Sequence, residues 1–174
     1  MAKRKVMFVI NPHAGKGKTG KSINQIIDLI GAHSKDFSHE VLVTTDAEEA
    51  TKHAKDGAKN NFDTIVAVGG DGTIHEVCQG IIDTKASLGV IPCGSGNDFI
   101  KNFDFVKNNI KKSIDVISQN KKKLIDVGIV NNEKCFINSA GLGFDAKIAL
   151  DKQRSSSKNY FLDVVKNLFS YKPI

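Results

Sequence analysis

Three glycine-bearing stretches of the 174-residue chain carry most of its chemical information. They are Asn11-Pro12-His13-Ala14-Gly15-Lys16-Gly17, Gly69-Gly70-Asp71-Gly72-Thr73 and Pro92-Cys93-Gly94-Ser95-Gly96-Asn97-Asp98. Glycine lets backbone N–H groups approach phosphate oxygens, and a helix that starts just beyond adds the positive end of its dipole. One such stretch is commonly only a tight turn. Three of them favour a polyphosphate ligand. Asp71, held between glycines, is the candidate catalytic carboxylate. It is suited to capping the following helix; beside bound phosphates it could instead hold Mg2+ or accept a proton from an attacking hydroxyl, as phosphoryl transfer requires. Ser95 offers a hydroxyl to a phosphate. Asn97 and Asp98 are expected to cap a helix beginning near Phe99, with the fixing of an acceptor hydroxyl as the alternative task for Asp98. Glu76 reads as an assistant to the cap and His75 as a helix-surface residue, and the five histidines show no metal-ligand spacing.

The first stretch also matches two phosphate-binding patterns. Gly15 to Ser22 (GKGKTGKS) fits G-x-x-x-x-G-K-[ST], and Gly15 to Gly20 fits G-x-G-x-x-G. One segment cannot be both. Local enrichment in lysine and glycine makes accidental matches easy, and Pro12 intervenes before the first glycine. Asp46 stands where a ribose-binding acid would sit in the dinucleotide reading, but that reading leaves the other two loops without a task.

The elements that must position these loops follow from hydrophobic periodicity. Val6 to Ile10, Val41 to Thr44, Thr64 to Val68 and Leu88 to Ile91 are short, nearly continuous apolar runs, as in strands covered on both faces of a parallel sheet. Between them, Ile23, Ile26, Ile27 and Ile30, then Ala47, Ala50 and Ala54, then Ile74, Val77, Cys78, Ile81 and Ile82 fall at helical spacing. The fold class is α/β, an N-terminal layered domain over residues 1–120 with its loops at the carboxyl ends of the strands. After Lys121-Lys122-Lys123 the pattern changes. Leu124 to Val130, an Asn131-Asn132 turn and Lys134 to Asn138 predict a β-hairpin that opens an antiparallel unit over 121–174. Ser155 to Ser157 read as a loop, and Tyr160, Phe161, Val164, Val165, Leu168 and Phe169 as one face of a helix, suited to core packing or to a lipid surface.

Composition narrows the function. Residues 1–100 carry 11 basic and 12 acidic groups, whereas 101–174 carry 14 and 7, so the net charge of +6 resides in the last part of the chain. No apolar run is long enough for a signal-peptide core or a membrane span, which predicts a cytoplasmic protein with at most peripheral membrane contact. Only 7% of residues are aromatic and none forms a stacking platform on the basic segment, which argues against nucleic acid. Cys78, Cys93 and Cys135 have no C-x-x-C spacing and are expected to be small core or loop residues.

Taken together, Asn11-Pro12 with Gly15, Gly69 to Thr73 with Glu76 and Val77, and Gly94 to Phe99 resemble the catalytic domain of diacylglycerol kinases and their bacterial lipid-kinase relatives. Ile125 to Gly128 and Phe136 to Ala146 extend the resemblance over nearly the whole chain. It implies a phosphofructokinase-like α/β domain followed by a β-sandwich, with ATP between them. ATP contacts would then come from Asn11, Pro12, His13, Ala14 and Gly15, from Thr44 at the end of the second strand, from Gly69, Gly70, Asp71, Gly72, Thr73, Ile74 and His75, and from Ser95. The family often has Thr at the Ser95 position, which keeps a hydroxyl, and Asn at the His75 position, which weakens a side-chain role there.

The resemblance also implies strands beyond Ile174, among them the magnesium ligands and the acidic proton acceptor, so the sandwich begun at 121 is expected to be incomplete. The chain is then a fragment, or it completes its sheet with strands of a partner, a second copy included. The leading function is an ATP- and Mg2+-dependent kinase acting on a lipid hydroxyl at an anionic membrane surface. NAD kinases share the Gly-Gly-Asp-Gly feature, and a nucleotide-binding module without catalysis is the reading from a different class. Residues 1–174 alone are expected to show weak or absent kinase turnover; steady-state ATP turnover equal to that of an intact relative would contradict this.

Overall fold

The computed structural model describes residues 3–33, 35–103, 109–144 and 146–147. The expected loop at Ser155 to Ser157, the apolar face from Tyr160 to Phe169, and Asp145 lie outside the described residues. The chain divides into two compact units, Met1–Asn138 and Ser139–Ile174. In the second unit the described residues enter a helical turn in which Lys147 N–H donates to Gly143 O at 3.0 Å.

In the first unit, the four apolar runs form one parallel sheet: β1 (Arg4–Ile10), β2 (Phe37–Val43), β3 (Thr64–Gly69) and β4 (Ser87–Pro92), in spatial order β2-β1-β3-β4. β1 and β3 are central and buried along nearly their whole length. Their side chains alternate between two cores, as the two-residue strand period demands. Met7, Val9, Ile65 and Ala67 pack with α3 (Glu49–Lys59) and α4 (Asp71–Ile81) through Ala50, Ala54, Ile74 and Val77. Val6, Phe8, Ile10, Val66 and Val68 pack on the other face with α2 (Ile23–Ala32) and α5 (Ile110–Ser118) through Ile26, Ile30, Ile114 and Ile117. The result is a three-layer α/β/α arrangement.

Two helices add to the sequence reading. A four-residue α1 (Lys18–Lys21) follows the first loop. α5 is capped by Asn109, whose side chain accepts Lys112 N–H at 3.0 Å. The hairpin is also shorter than expected. β5 (Gly128–Val130) and β6 (Lys134–Phe136) pair antiparallel over three residues each, joined through Asn131 and Asn132 at φ 53° and 57°. Leu124 to Val127 are not strand: pairing ends opposite Phe136, and Leu124 is 99% exposed, with no strand among the described residues paired to it. The hairpin lies against α4, where Gln79 Nε2 donates to Glu133 O and Gln79 Oε1 accepts Cys135 N–H, both at 2.9 Å.

α3 and α4 approach closely because small residues face one another. A Cβ on Gly80 would stand 2.5 Å from Thr51 O and 2.6 Å from the Ala54 methyl. Gly80→Val is therefore expected to lower stability by about 1–3 kcal/mol through overpacking. In urea unfolding this lowers the midpoint at constant slope; an unchanged midpoint would contradict the packing.

Candidate functional site

Strand register builds the site. Ile10 pairs with Val43 and with Val68, and Gly69 pairs with Pro92, so the strands end at one height. Backbone bonds carry the ladder one step further: Asn11 N–H to Val68 O (3.0 Å), Thr44 N–H to Ile10 O (2.9 Å) and Cys93 N–H to Gly69 O (2.8 Å). The loops after β1, β3 and β4 thus leave from a single rim. β1 and β3 are neighbours although β2 lies between them in sequence, so the rim contains the topological switch point where ligands of open α/β sheets bind.

The three loops then touch. Asn11 Nδ2 donates to Thr73 Oγ1 at 3.1 Å, while Asn11 Oδ1 accepts His13 N–H at 2.9 Å, which joins the first loop to the start of α4. Gly15, at φ 61°, lies against the Cys93 carbonyl so closely that any Cβ would collide with that oxygen. Thr19 is buried beside it, donating to Ala14 O at 3.1 Å and lying 3.4 Å from Cys93 O. Gly70 and Gly94 meet backbone to backbone: a Cβ on Gly70 would stand 3.0 Å from Gly94 Cα, and one on Gly94 would run into Gly70 Cα. Such closeness requires glycine on both sides.

Asp71 is the first residue of α4, half-buried, yet it does not cap its own helix. Its Oδ1 accepts Phe99 N–H at 3.1 Å, so it fastens the third loop to the second. Its Oδ2 faces Gly96, where a Cβ would stand 3.1 Å from it and 3.4 Å from Asp98 Oδ2. Two carboxylate oxygens therefore converge over one glycine. The first intrahelical bond of α4 is Ile74 N–H to Gly70 O at 3.0 Å, so the N–H groups of Asp71, Gly72 and Thr73 precede the helical ladder and present the positive dipole end at the rim.

The expected capping by Asn97 and Asp98 is corrected. Phe99 is followed by only a single 3-10 turn, Ile100–Asn102, without a side-chain cap. Asn97, at φ 53° and 4% exposed, turns its amide back on Gly94, accepting Gly94 N–H at 2.9 Å and donating to Gly94 O at 3.0 Å. Asp98 pairs with Lys101 at 2.5 Å on the surface. Of the other candidates, Ser95 is exposed on the third loop, His13 and His75 are exposed, and Pro12 and Ala14 are half-buried. Thr44 is buried with its hydroxyl directed to Ile10 O at 3.4 Å. Ile74 is fully buried in the α3/α4 core and its N–H is taken by Gly70, so it supports the loop from within. Asp46 is exposed in the turn after β2, where the Glu49 carboxylate accepts the N–H groups of Thr45 and Asp46, bonds that hold its pKa below the usual carboxylate value.

Neither phosphate-binding pattern in GKGKTGKS describes the local structure. Gly20 lies inside α1 and donates its N–H to Pro12 O at 3.0 Å, and Lys21-Ser22 marks the junction with α2. The dinucleotide pattern follows its strand directly, whereas Asn11 to Ala14 separate β1 from Gly15, and the other pattern places its Gly-Lys-[Ser/Thr] before the helix, whereas Gly20-Lys21 end α1.

The Diacylglycerol kinase catalytic domain family matches residues 5–130, a span that holds all three loops. The chain belongs to this family. A diacylglycerol kinase of Bacillus subtilis (strain 168) is similar at 32% identity, covering 98% of this chain and 57% of its own length. A Shigella flexneri protein named "Probable lipid kinase YegS" is 30% identical over 79% of this chain and 46% of its own length. The crystal structure of a diacylglycerol kinase from Bacillus anthracis str. Sterne superposes with a TM-score of 0.70 at 28% identity, over 91% of this chain and 57% of that one. The chain spans about half the length of the relatives it matches.

In this diacylglycerol kinase family domain, sequence reasoning misassigned Asn97 along with Asp98; the place of Asn97 before an Asp at a loop end suggested a cap, while the left-handed tolerance of Asn was the overlooked signal. Asn97→Ala removes two hydrogen bonds and puts a Cβ residue without that tolerance at positive φ. It is expected to cost about 1–3 kcal/mol and to weaken nucleotide binding, whereas Asn97→Gly restores the backbone and loses less stability. Urea unfolding and a nucleotide titration of both variants check this; equal stability for Ala and Gly would contradict the backbone argument.

Proposed function

We propose that this chain forms the nucleotide-binding part of an ATP-dependent lipid kinase, which transfers the γ-phosphoryl group to a lipid hydroxyl such as that of diacylglycerol. The observation that carries the reading is the meeting of Asn11, Asp71 and the Gly94 to Gly96 stretch on one rim. In the transfer, the lipid oxygen bonds to the γ-phosphorus, the bond to the β-phosphate oxygen breaks, and the hydroxyl proton passes to a carboxylate or to solvent. Catalysis is then mainly positioning and charge stabilisation. The N–H groups of Asp71, Gly72 and Thr73 serve the phosphates, and Asn11 and Ser95 add side-chain donors. Asp71 Oδ2, the oxygen not engaged by Phe99, faces the transferring group.

Among the described residues no three His, Cys, Asp or Glu side chains are grouped to hold a metal alone. Mg2+ carried by ATP needs only one or two carboxylates besides phosphate oxygens, and Asp71 and Asp98 fit that need. When bound, the ion neutralises phosphate charge.

The lipid enters through charge. Among the described residues no helix is long and apolar enough to cross a membrane. The excess of 14 basic over 7 acidic groups in residues 101–174 suits peripheral contact with anionic headgroups, each cation near the surface contributing about 1 kcal/mol.

Asp71→Asn is expected to lower turnover by about 100-fold or more, on the scale of losing one transition-state group, with ATP binding kept within a few-fold because Phe99 N–H still finds the amide oxygen. Retained turnover would remove Asp71 from the chemistry. Association with anionic vesicles should weaken as salt rises through the range where the screening length falls below about 10 Å; salt-independent association would contradict the charge argument.

A further inference from the structure

The cysteines, which their sequence spacing set apart, are not all apart in the fold. Cys78, about two turns along α4 from Asp71, and Cys135, at the centre of β6, are both buried, and their sulfurs stand 3.7 Å apart. They are 57 positions apart in sequence, on two elements held together by the paired Gln79 bonds to Glu133 and Cys135. Cys93, half-buried in the third loop, is packed with the first loop instead.

We propose that Cys78 and Cys135 are an oxidation site, a dithiol that closes to an intramolecular disulfide and clamps the β5-β6 hairpin onto α4. Each thiol loses a proton, one S–S bond forms, and the two electrons pass to a two-electron oxidant such as a peroxide, a low-molecular-weight disulfide or an azo reagent. A disulfide requires the sulfurs to close from 3.7 Å to about 2.05 Å. The hairpin has only three paired residues per strand, so a small shift of β6 accommodates this approach. Burial, with Cys135 alongside, pushes the Cys78 pKa up to about 12. Cys78 therefore rests as a protonated thiol, and the pair reacts when the hairpin loosens. A closed loop of this length removes much conformational entropy from the unfolded chain, so oxidation stabilises the fold.

Treatment of the full chain with diamide, which takes up both electrons and both protons to become the hydrazine, tests this. The expected result is a monomer lighter by two hydrogens, with only Cys93 open to alkylation, a linked Cys78–Cys135 peptide, a raised melting temperature, and reversal by reductant. Cys93→Ser should behave in the same way, and Cys135→Ser should keep the unoxidised mass and melting temperature. Three alkylatable thiols after treatment, a link through Cys93, or a disulfide only between two chains would overturn the proposal. None of these readouts depends on kinase activity, so its failure is separable from failure of the functional reading.

Discussion

The backbone contact between Gly70 and Gly94 is the constraint on which the rest of the structure depends. Two loops can lie against one another without side chains between them only if β3 and β4 end level, as the pairing of Gly69 with Pro92 ensures. A slip of one residue would exchange the two faces of β3 and carry its core residues to the wrong layer. Because Ile65 and Ala67 are buried against α3 and α4 while Val66 and Val68 are buried against α2 and α5, neither face tolerates that exchange. Apolar packing in the sheet interior thereby sets the height of polar loops at its rim.

From this follows the electrostatic character of the site. The start of α4 delivers N–H groups that precede its helical ladder, and Asp71 at the same place delivers a carboxylate. The two have separate orientations because Phe99 N–H holds one carboxylate oxygen, leaving the other directed toward Gly96 and Asp98. Anion-binding donors and a carboxylate within one helical turn are what a phosphoryl-transfer site combines, and the family match covers the residues that supply both.

Much of the fold was legible in the sequence because its signals are local. Four apolar runs marked four strands, isoleucine and alanine spacing marked three helices, and Asn131-Asn132 marked the hairpin turn. α5 also had a local signal, since Ile110, Ile114 and Ile117 share one helix face, but the surrounding lysines and asparagines obscured it. The site was legible as three loops, not as contacts. Asp71 to Phe99 spans 28 positions and Cys78 to Cys135 spans 57, and no spacing rule reaches across such separations. GKGKTGKS runs in the opposite sense: its letters satisfy two patterns that the surrounding sequence already argues against, and the chain has entered a helix before the last glycine.

The most direct test of the central claim is an amide NMR titration with ATP and Mg2+, following Gly15, Gly70 to Thr73 and Ser95 together. The account predicts that resonances from all three loops move along one saturation curve, with a single dissociation constant. Loops that respond with different constants, or a response confined to one of them, would contradict a shared triphosphate site.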